Sequence, residues 1–202
     1  FKFQVAAALA REKSAKVSKD RRGSSGELKR RFLERLGFPL TSAQARVLGE
    51  IEEDMRRPRP MNRLLQGDVG CGKTIVALAA ALDAIESGGQ VALMAPTEIL
   101  ARQHASTASA YLDPLGVKSD FLSGSVRGEE RRSLLERLEN GRISFLSGTH
   151  ALYSADVRFR NLTLAVIDEQ QKFGVLQRGS LRAKGDSPDC IVMSATPIPR
   201  TL

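Results

Sequence analysis

Gly67, Gly72, Lys73 and Thr74 stand at the spacing G-x-x-x-x-G-K-T inside residues 64–74, LLQGDVGCGKT. These residue types at these intervals can hold a phosphate chain. Glycines at 67, 70 and 72 admit backbone angles closed to other residues and bring bare amides close to an anion. The whole loop, Gly67, Asp68, Val69, Gly70, Cys71, Gly72, Lys73 and Thr74, is therefore the expected phosphate cradle of a nucleotide. A helix starting at its end would aim free N–H groups and a positive dipole end at the same anion. Lys73 adds a full charge at the terminal phosphates, and the Thr74 hydroxyl is a ligand for Mg²⁺.

A second cluster completes the chemistry. Residues 164–169, LAVIDE, are an apolar run that delivers two carboxylates. Mg²⁺ takes oxygen ligands and keeps its waters, so Asp168 can hold the ion, directly or through water, opposite Thr74. Glu169 is then placed to orient and deprotonate an attacking water. Phosphoryl transfer needs little beyond positioning and charge neutralisation. ATP and Mg²⁺ are the expected cofactors. Gln44 offers an amide donor and acceptor, the pair an adenine edge needs, although alone it also suits an ordinary helix surface.

Both clusters need strands that end where they begin. Residues 63–65 read as the end of a strand before the loop, and residues 74–85 as a helix with Ile75, Leu78, Leu82 and Ile85 at helical spacing. Further strands are expected at 90–95, 117–122, 143–146, 162–167 and 191–193, and helices at 99–111 and 128–139. Each strand runs into a polar group: Pro96-Thr97-Glu98, Ser123-Gly124-Ser125, Ser147 to His150, Asp168-Glu169 and Ser194-Ala195-Thr196. Alternating strands and helices imply an α/β fold, a mostly parallel sheet with helices on both faces. Such sheets bind ligands outside the carboxyl ends of their strands, which is where every one of these groups falls.

Upstream, residues 1–12 have helical spacing, residues 14–26 are rich in Lys, Arg, Ser and Gly and read as a flexible linker, and residues 27–36 read as a second helix. Thr41 or Ser42 would cap the helix that carries Gln44, Val47, Leu48 and Ile51. Arg57-Pro58-Arg59-Pro60 ends that helix and makes a stiff entry to the loop strand. The expected organisation is a helical extension over 1–36 and one α/β domain over 37–202. Phe1 and Leu202 are termini that a segment of a longer protein would have.

The chain has 31 Lys and Arg against 23 Asp and Glu, a formal charge of +8, and no Trp. That balance permits a polyanion partner, and the scarcity of aromatics argues against base stacking as its main contact. Cys71 and Cys190 have no metal-site or disulfide-framework spacing, which fits a reducing compartment. Without a signal-peptide pattern or an apolar run of membrane-spanning length, a cytoplasmic protein with no membrane partner is expected.

The motifs together carry a family resemblance. Residues 168–171, DEQQ, with the phosphate loop, resemble the Walker B box of superfamily 2 helicases and translocases. Residues 39–44, PLTSAQ, are similar to their adenine-reading Q motif, and Ser194-Ala195-Thr196 to their coupling motif III. More narrowly, MNRLLQGDVGCGKT, ALMAPTEILARQH, GTHAL, DEQQKFGV and SATPIPRTL resemble the RecG branched-DNA translocases from residue 36 to 202. The relatives to separate are the transcription-repair coupling factor, which shares PIPRT, and the PriA restart helicase. The resemblance implies a first RecA-like motor domain, an ATP-dependent DNA helicase lobe that remodels replication forks and Holliday junctions in repair and recombination. It implies that Pro96, Thr97, Glu98, Gly124, Thr149 and His150 line the DNA backbone path, and that Gln171, where the family commonly has His, bridges the γ-phosphate region to motif III. It also implies a wedge domain and a second RecA-like domain elsewhere in the full protein, the latter supplying an arginine finger, so the isolated lobe should bind nucleotide and hydrolyse it poorly. His104 has no motif role. A kinase-like or ATP-sensing protein would need an arginine-bearing lid and would leave residues 194–196 unexplained.

Overall fold

Alternating apolar runs and turn residues become a six-stranded sheet among the described residues, which are 24–168 and 184–195 of this computed structural model. The expected helix at 1–12, residues 14–23 of the expected linker, Glu169, Gln170, Gln171 and Thr196 lie outside the described residues. The strands are β1 (Asn62–Gln66), β2 (Gln90–Met94), β3 (Ser119–Leu122), β4 (Phe145–Gly148), β5 (Leu162–Asp168) and β6 (Asp189–Ser194). They lie in the order β1-β6-β5-β2-β4-β3, and every pairing is parallel. The helices are α1 (Glu27–Glu34), α2 (Ser42–Arg56), α3 (Lys73–Glu86), α4 (Glu98–Leu112) and α5 (Gly128–Glu139). Short 3₁₀ turns follow at Asp113–Leu115 and His150–Tyr153. No described helix is long and apolar enough to cross a membrane.

The four inner strands, β6, β5, β2 and β4, were legible because both of their faces are covered. Val91 and Leu93 of β2, Leu164 and Val166 of β5, and Ile191 and Met193 of β6 join one apolar core. The alternate residues, Ala92 and Met94, Ala165 and Ile167, Cys190 and Val192, join a second core on the opposite face. The side-chain period of two in a strand forces this division. The first face is covered by α1, α2 and α3 and by Ala108 and Leu112 of α4; the second by Leu134 and Leu138 of α5. The α3 run from Val76 to Leu82 is buried throughout, as befits the helix that carries the loop against the sheet centre.

Several strand bounds differ from the sequence reading by one or two residues: β3 and β4 begin two residues later than expected, and the ends of β2, β5 and β6 shift by one. β4 runs two residues further than expected, through Ser147 and Gly148, because Gly148 pairs with both Met94 and Leu122 and a Cβ there would fall 2.3 Å from the Leu122 carbonyl. β6 begins earlier, at Asp189, whose carboxylate accepts the Met61 N–H at 2.6 Å and anchors the start of β1.

The stretch before α1 is tied down at its end. Gly26, the N-cap of α1, has no side chain to cap the helix. Glu86, at the last turn of α3, does so instead: its carboxylate accepts the Gly26 N–H at 2.6 Å, the Leu28 N–H at 3.0 Å and the Ser24 hydroxyl. Lys29 adds ion pairs to Glu52 and Asp83, both at 2.9 Å. With Phe32 in the first core and Leu28 and Leu33 packed against it, α1 shares the core of the α/β domain. Burial raises the Glu86 carboxyl, but the Ser24 hydroxyl, the Leu28 N–H and their neighbours outweigh it and bring it down to about 2. A depressed carboxyl stabilises the fold above its unfolded value of 4.5 and loses that contribution as pH falls toward 2. Glu86→Gln should therefore cost on the order of 1 kcal/mol at neutral pH. Denaturant unfolding should show that cost shrinking at pH 3; a pH-independent difference would refute the cap.

Candidate functional site

The loop after β1 is held by the neighbouring strand. The Gly67 N–H donates to the Ser194 carbonyl at the end of β6, at 3.2 Å, and the Cys71 N–H closes a turn on the Asp68 carbonyl, also at 3.2 Å. The loop is so tight that a Cβ on Gly67 would lie 2.6 Å from Cys71 Sγ. Gly72 caps α3 with φ +84°, in the left-handed region, and a Cβ there would fall 2.3 Å from Gln44 Nε2. Lys73 opens α3 and reaches back over the loop: its Nζ donates to the Gly67 carbonyl at 2.7 Å and the Asp68 carbonyl at 2.9 Å. Asp68, Val69, Gly70 and Cys71 are exposed around it, and Thr74 is half-buried in the first helical turn. The first N–H groups of α3 have no partner within the helix. A tight loop without room for side chains at Gly67 and Gly72, a helix N-terminus and a central ammonium fit a nucleotide's phosphates.

Gln44 is built into the same loop. Thr41 is the N-cap of α2; its hydroxyl accepts the Gln44 N–H at 3.2 Å, and Gln44 Oε1 accepts the Thr41 N–H at 2.9 Å. The amide nitrogen then donates to the Cys71 carbonyl at 2.8 Å. One N–H and one lone pair of that amide remain for a further partner. Arg63 of β1 fixes α2 from the other end, through Asp54 at 2.5 Å and Glu50 at 2.7 Å.

Asp168 ends β5. In register it faces Met193 of β6, which faces Leu65 of β1, two residues before Gly67. Two inter-strand steps put Asp168 about 10 Å across the sheet from that strand end. Among the described residues, no cluster of three His, Cys, Asp or Glu could hold a metal by itself. An oxygen set of one hydroxyl and one carboxylate beside a phosphate cradle is the kind that Mg²⁺ uses, since it keeps waters and takes phosphate oxygens as ligands. Asp168 and Thr74 thus fit the ion.

His104 is the site residue missed by motif reading. Its Nε2 lies 2.7 Å from Asp168 Oδ2, and the two side chains are 12% and 13% exposed. A signal existed: Ala101, Ala108 and Leu112 form the inward stripe of α4, and His104 falls on it at helical spacing. A polar ring on an apolar stripe needs a partner.

The ends of β2 and β3 meet at a second surface. Thr97 is the N-cap of α4, its hydroxyl accepting the Leu100 N–H at 3.3 Å. Glu98 accepts from the Ser125 hydroxyl and from Arg102, both at 2.8 Å, and Ser123 lies 2.7 Å from Ser125. The Ser125, Arg102 and Ser123 hydrogen bonds hold the Glu98 carboxyl below its ordinary value. Arg102 also stacks on Phe121, 4.4 Å from the ring centre. The Gly124 carbonyl takes a bond from Arg127 at 3.2 Å. Pro96 is half-buried and His150 exposed. Thr149 differs: it is 4% exposed and its hydroxyl faces the Ala151 N–H. Ser194 is buried, Ala195 half-buried.

The model of the DEAD/DEAH box helicase family matches residues 41–202. This chain belongs to the DEAD/DEAH box helicase family. Within it, the chain is 55% identical over 174 residues to the ATP-dependent DNA helicase RecG of Treponema pallidum (strain Nichols), covering 83% of this chain and 25% of that protein. The RecG helicase of Aquifex aeolicus (strain VF5) is 48% identical over 204 residues, covering 100% of this chain and 26% of its own. A solved structure of RecG bound to a three-way DNA junction aligns over 98% of this chain and 26% of that one, with a TM-score of 0.86 and 42% identity. The Mycobacterium smegmatis helicase Lhr bound to ssDNA and AMP-PNP shares the fold, with a TM-score of 0.68, 23% identity, and coverage of 88% of this chain and 25% of that one. The chain spans about a quarter of the length of the curated relatives it matches. Its fold is the RecA-like helicase domain expected from the sequence.

The tightness of the loop can be checked directly. Gly67→Ala should destabilise the domain through the Cys71 sulfur, and Cys71→Ala should relieve most of that cost. Strictly additive losses in thermal unfolding of the double variant would mean that the two residues do not touch.

Proposed function

We propose that this chain is the first RecA-like, ATP-binding lobe of an ATP-dependent DNA helicase that remodels branched DNA, such as replication forks and Holliday junctions, in repair and recombination. The observation that carries the reading is the joining of the Gly67 loop to Ser194 of β6, with Asp168 on the far side of that same strand. This is the arrangement in which one nucleotide would touch the phosphate loop, the metal-binding strand end and a coupling segment together. The likeness to RecG on a three-way junction supports the branched-DNA substrate.

In this reading Lys73 turns from its own loop carbonyls to the terminal phosphates, and the amides of residues 67–74 hold the phosphate chain. Gln44 uses its remaining N–H and lone pair on the adenine. Thr74 and Asp168 hold Mg²⁺, which neutralises charge on the transferring phosphoryl group. Glu169 orients the attacking water and takes its proton, and Gln171 links the γ-phosphate region to Ser194-Ala195-Thr196. The DNA backbone passes over Pro96, Thr97, Glu98, Gly124 and His150. At Thr149 the buried hydroxyl leaves only a positioning part, holding the turn that presents His150. Such contacts position a duplex without reading its sequence, and the surplus of 31 basic over 23 acidic residues favours them.

A second RecA-like domain and a wedge domain elsewhere in the full-length protein complete the machine. The second lobe supplies an arginine finger, a group worth on the order of 10³–10⁵ in rate in other NTPases. The isolated chain therefore binds nucleotide and turns it over slowly. ATP turnover with and without forked DNA, compared between this chain and the full-length gene product, tests the reading. Expected are a nearly silent chain and a DNA-stimulated full-length enzyme, with Lys73→Ala losing nucleotide binding and Glu169→Gln retaining binding but not turnover. Equal, DNA-indifferent turnover in both proteins would overturn it.

A further inference from the structure

We propose that His104 is a positioning residue for Asp168, and that it joins the Mg²⁺–nucleotide site to α4, the helix whose N-terminus carries Thr97 and Glu98. The inference rests on the metal-holding part given to Asp168 above. A carboxylate at a strand tip has two free torsions and would sample several orientations. The imidazole at 2.7 Å from Oδ2 removes that freedom. An ionised carboxylate is an acceptor only, so His104 Nε2–H donates. With Oδ2 committed to the ring, Oδ1 is the oxygen left to face the ion or its water shell. Groups bonded to a metal-binding side chain in this way orient it, and their loss costs about 10–100-fold in metal affinity where measured.

The connection to α4 follows from helix geometry. His104 lies seven residues after Thr97, about two turns along one rigid element, or roughly 10 Å. Thr97 caps this helix and Glu98 binds Arg102 and Ser125 across to the β3 loop. A displacement of the exposed end of α4 is therefore carried to the carboxylate through a single side chain. No other described hydrogen bond runs from the α4 side chains to Asp168. The helix cannot tilt without either moving the carboxylate or breaking this bond.

The test is the Mg²⁺ dependence of nucleotide binding, an equilibrium readout that needs no turnover. A fluorescent ADP analogue is titrated onto the full-length gene product at increasing Mg²⁺, for the parent, His104→Ala, His104→Leu, His104→Gln and Asp168→Ala. Glutamine places an N–H where Nε2 stands, whereas leucine fills the space without a donor. Expected is a rise of about tenfold in the Mg²⁺ midpoint for His104→Ala and His104→Leu. Affinity in EDTA should be unchanged, and His104→Gln should lie close to the parent. The leucine and glutamine variants keep the comparison alive if the alanine variant folds poorly. An unmoved midpoint in His104→Leu, or equal shifts in the leucine and glutamine variants, overturns the proposal. If Asp168→Ala moves the midpoint in that case, the metal reading of Asp168 stands without His104. If Asp168→Ala also leaves it unmoved, that reading falls with the proposal.

Discussion

Parallel pairing of the strands is the constraint on which this domain depends. Each parallel strand has to be returned by a connection across a face of the sheet, so all six carboxyl ends emerge on one edge. The polar residues that follow them have nowhere else to go. The apolar division of the inner strands between two cores locks this arrangement, because a register slip of one residue would send Val91, Leu93, Leu164 and Val166 to the wrong face. The chemistry at the edge inherits its precision from that division rather than from the loops themselves.

Within this edge, β6 has a special place. It is the strand between the phosphate loop and the carboxylate, and its last residue, Ser194, supports the loop through its carbonyl. A loop in which a glycine hydrogen would have to be replaced at 2.6 Å from a sulfur has little room to move. Its shape is imposed from two sides, by Ser194 below and by Gln44 from α2. The capping box that starts α2 also aims the Gln44 amide, so a local helix-start signal sets the geometry of a long-range contact. Glu86 performs a comparable part at the other end of α3, where it caps a helix that has a glycine in its own cap position. The loop helix is thus gripped at both termini.

The second surface, around Thr97, Glu98 and Ser125, is joined to the first by α4. Glu98, Arg102 and Ser125 bind one another and leave Arg102 stacked over Phe121. Exposed ion pairs of this kind contribute little to stability. Their effect here is to hold the ends of β2 and β3 in one arrangement. The His104 bond to Asp168 lies further along the same helix, in a much drier setting.

Much of this was determined by the sequence alone. The G-x-x-x-x-G-K-T spacing, the apolar run into Asp168 and the alternation of strand and helix patterns are local, and local patterns survive in one dimension. They were enough to place the parallel sheet, the loop and its helix, and to mark Thr41 or Ser42 as a helix start. The tertiary structure decided what depends on contacts between distant segments. It chose Thr41 as the cap, turned Glu86 into the cap of α1 from 58 residues away, and buried the Thr149 hydroxyl. It also gave His104 a partner 64 residues on. No spacing rule could supply that pairing, since it arises only when the third helix after α1 is laid across the sheet and the His104 ring meets the carboxylate at the end of β5.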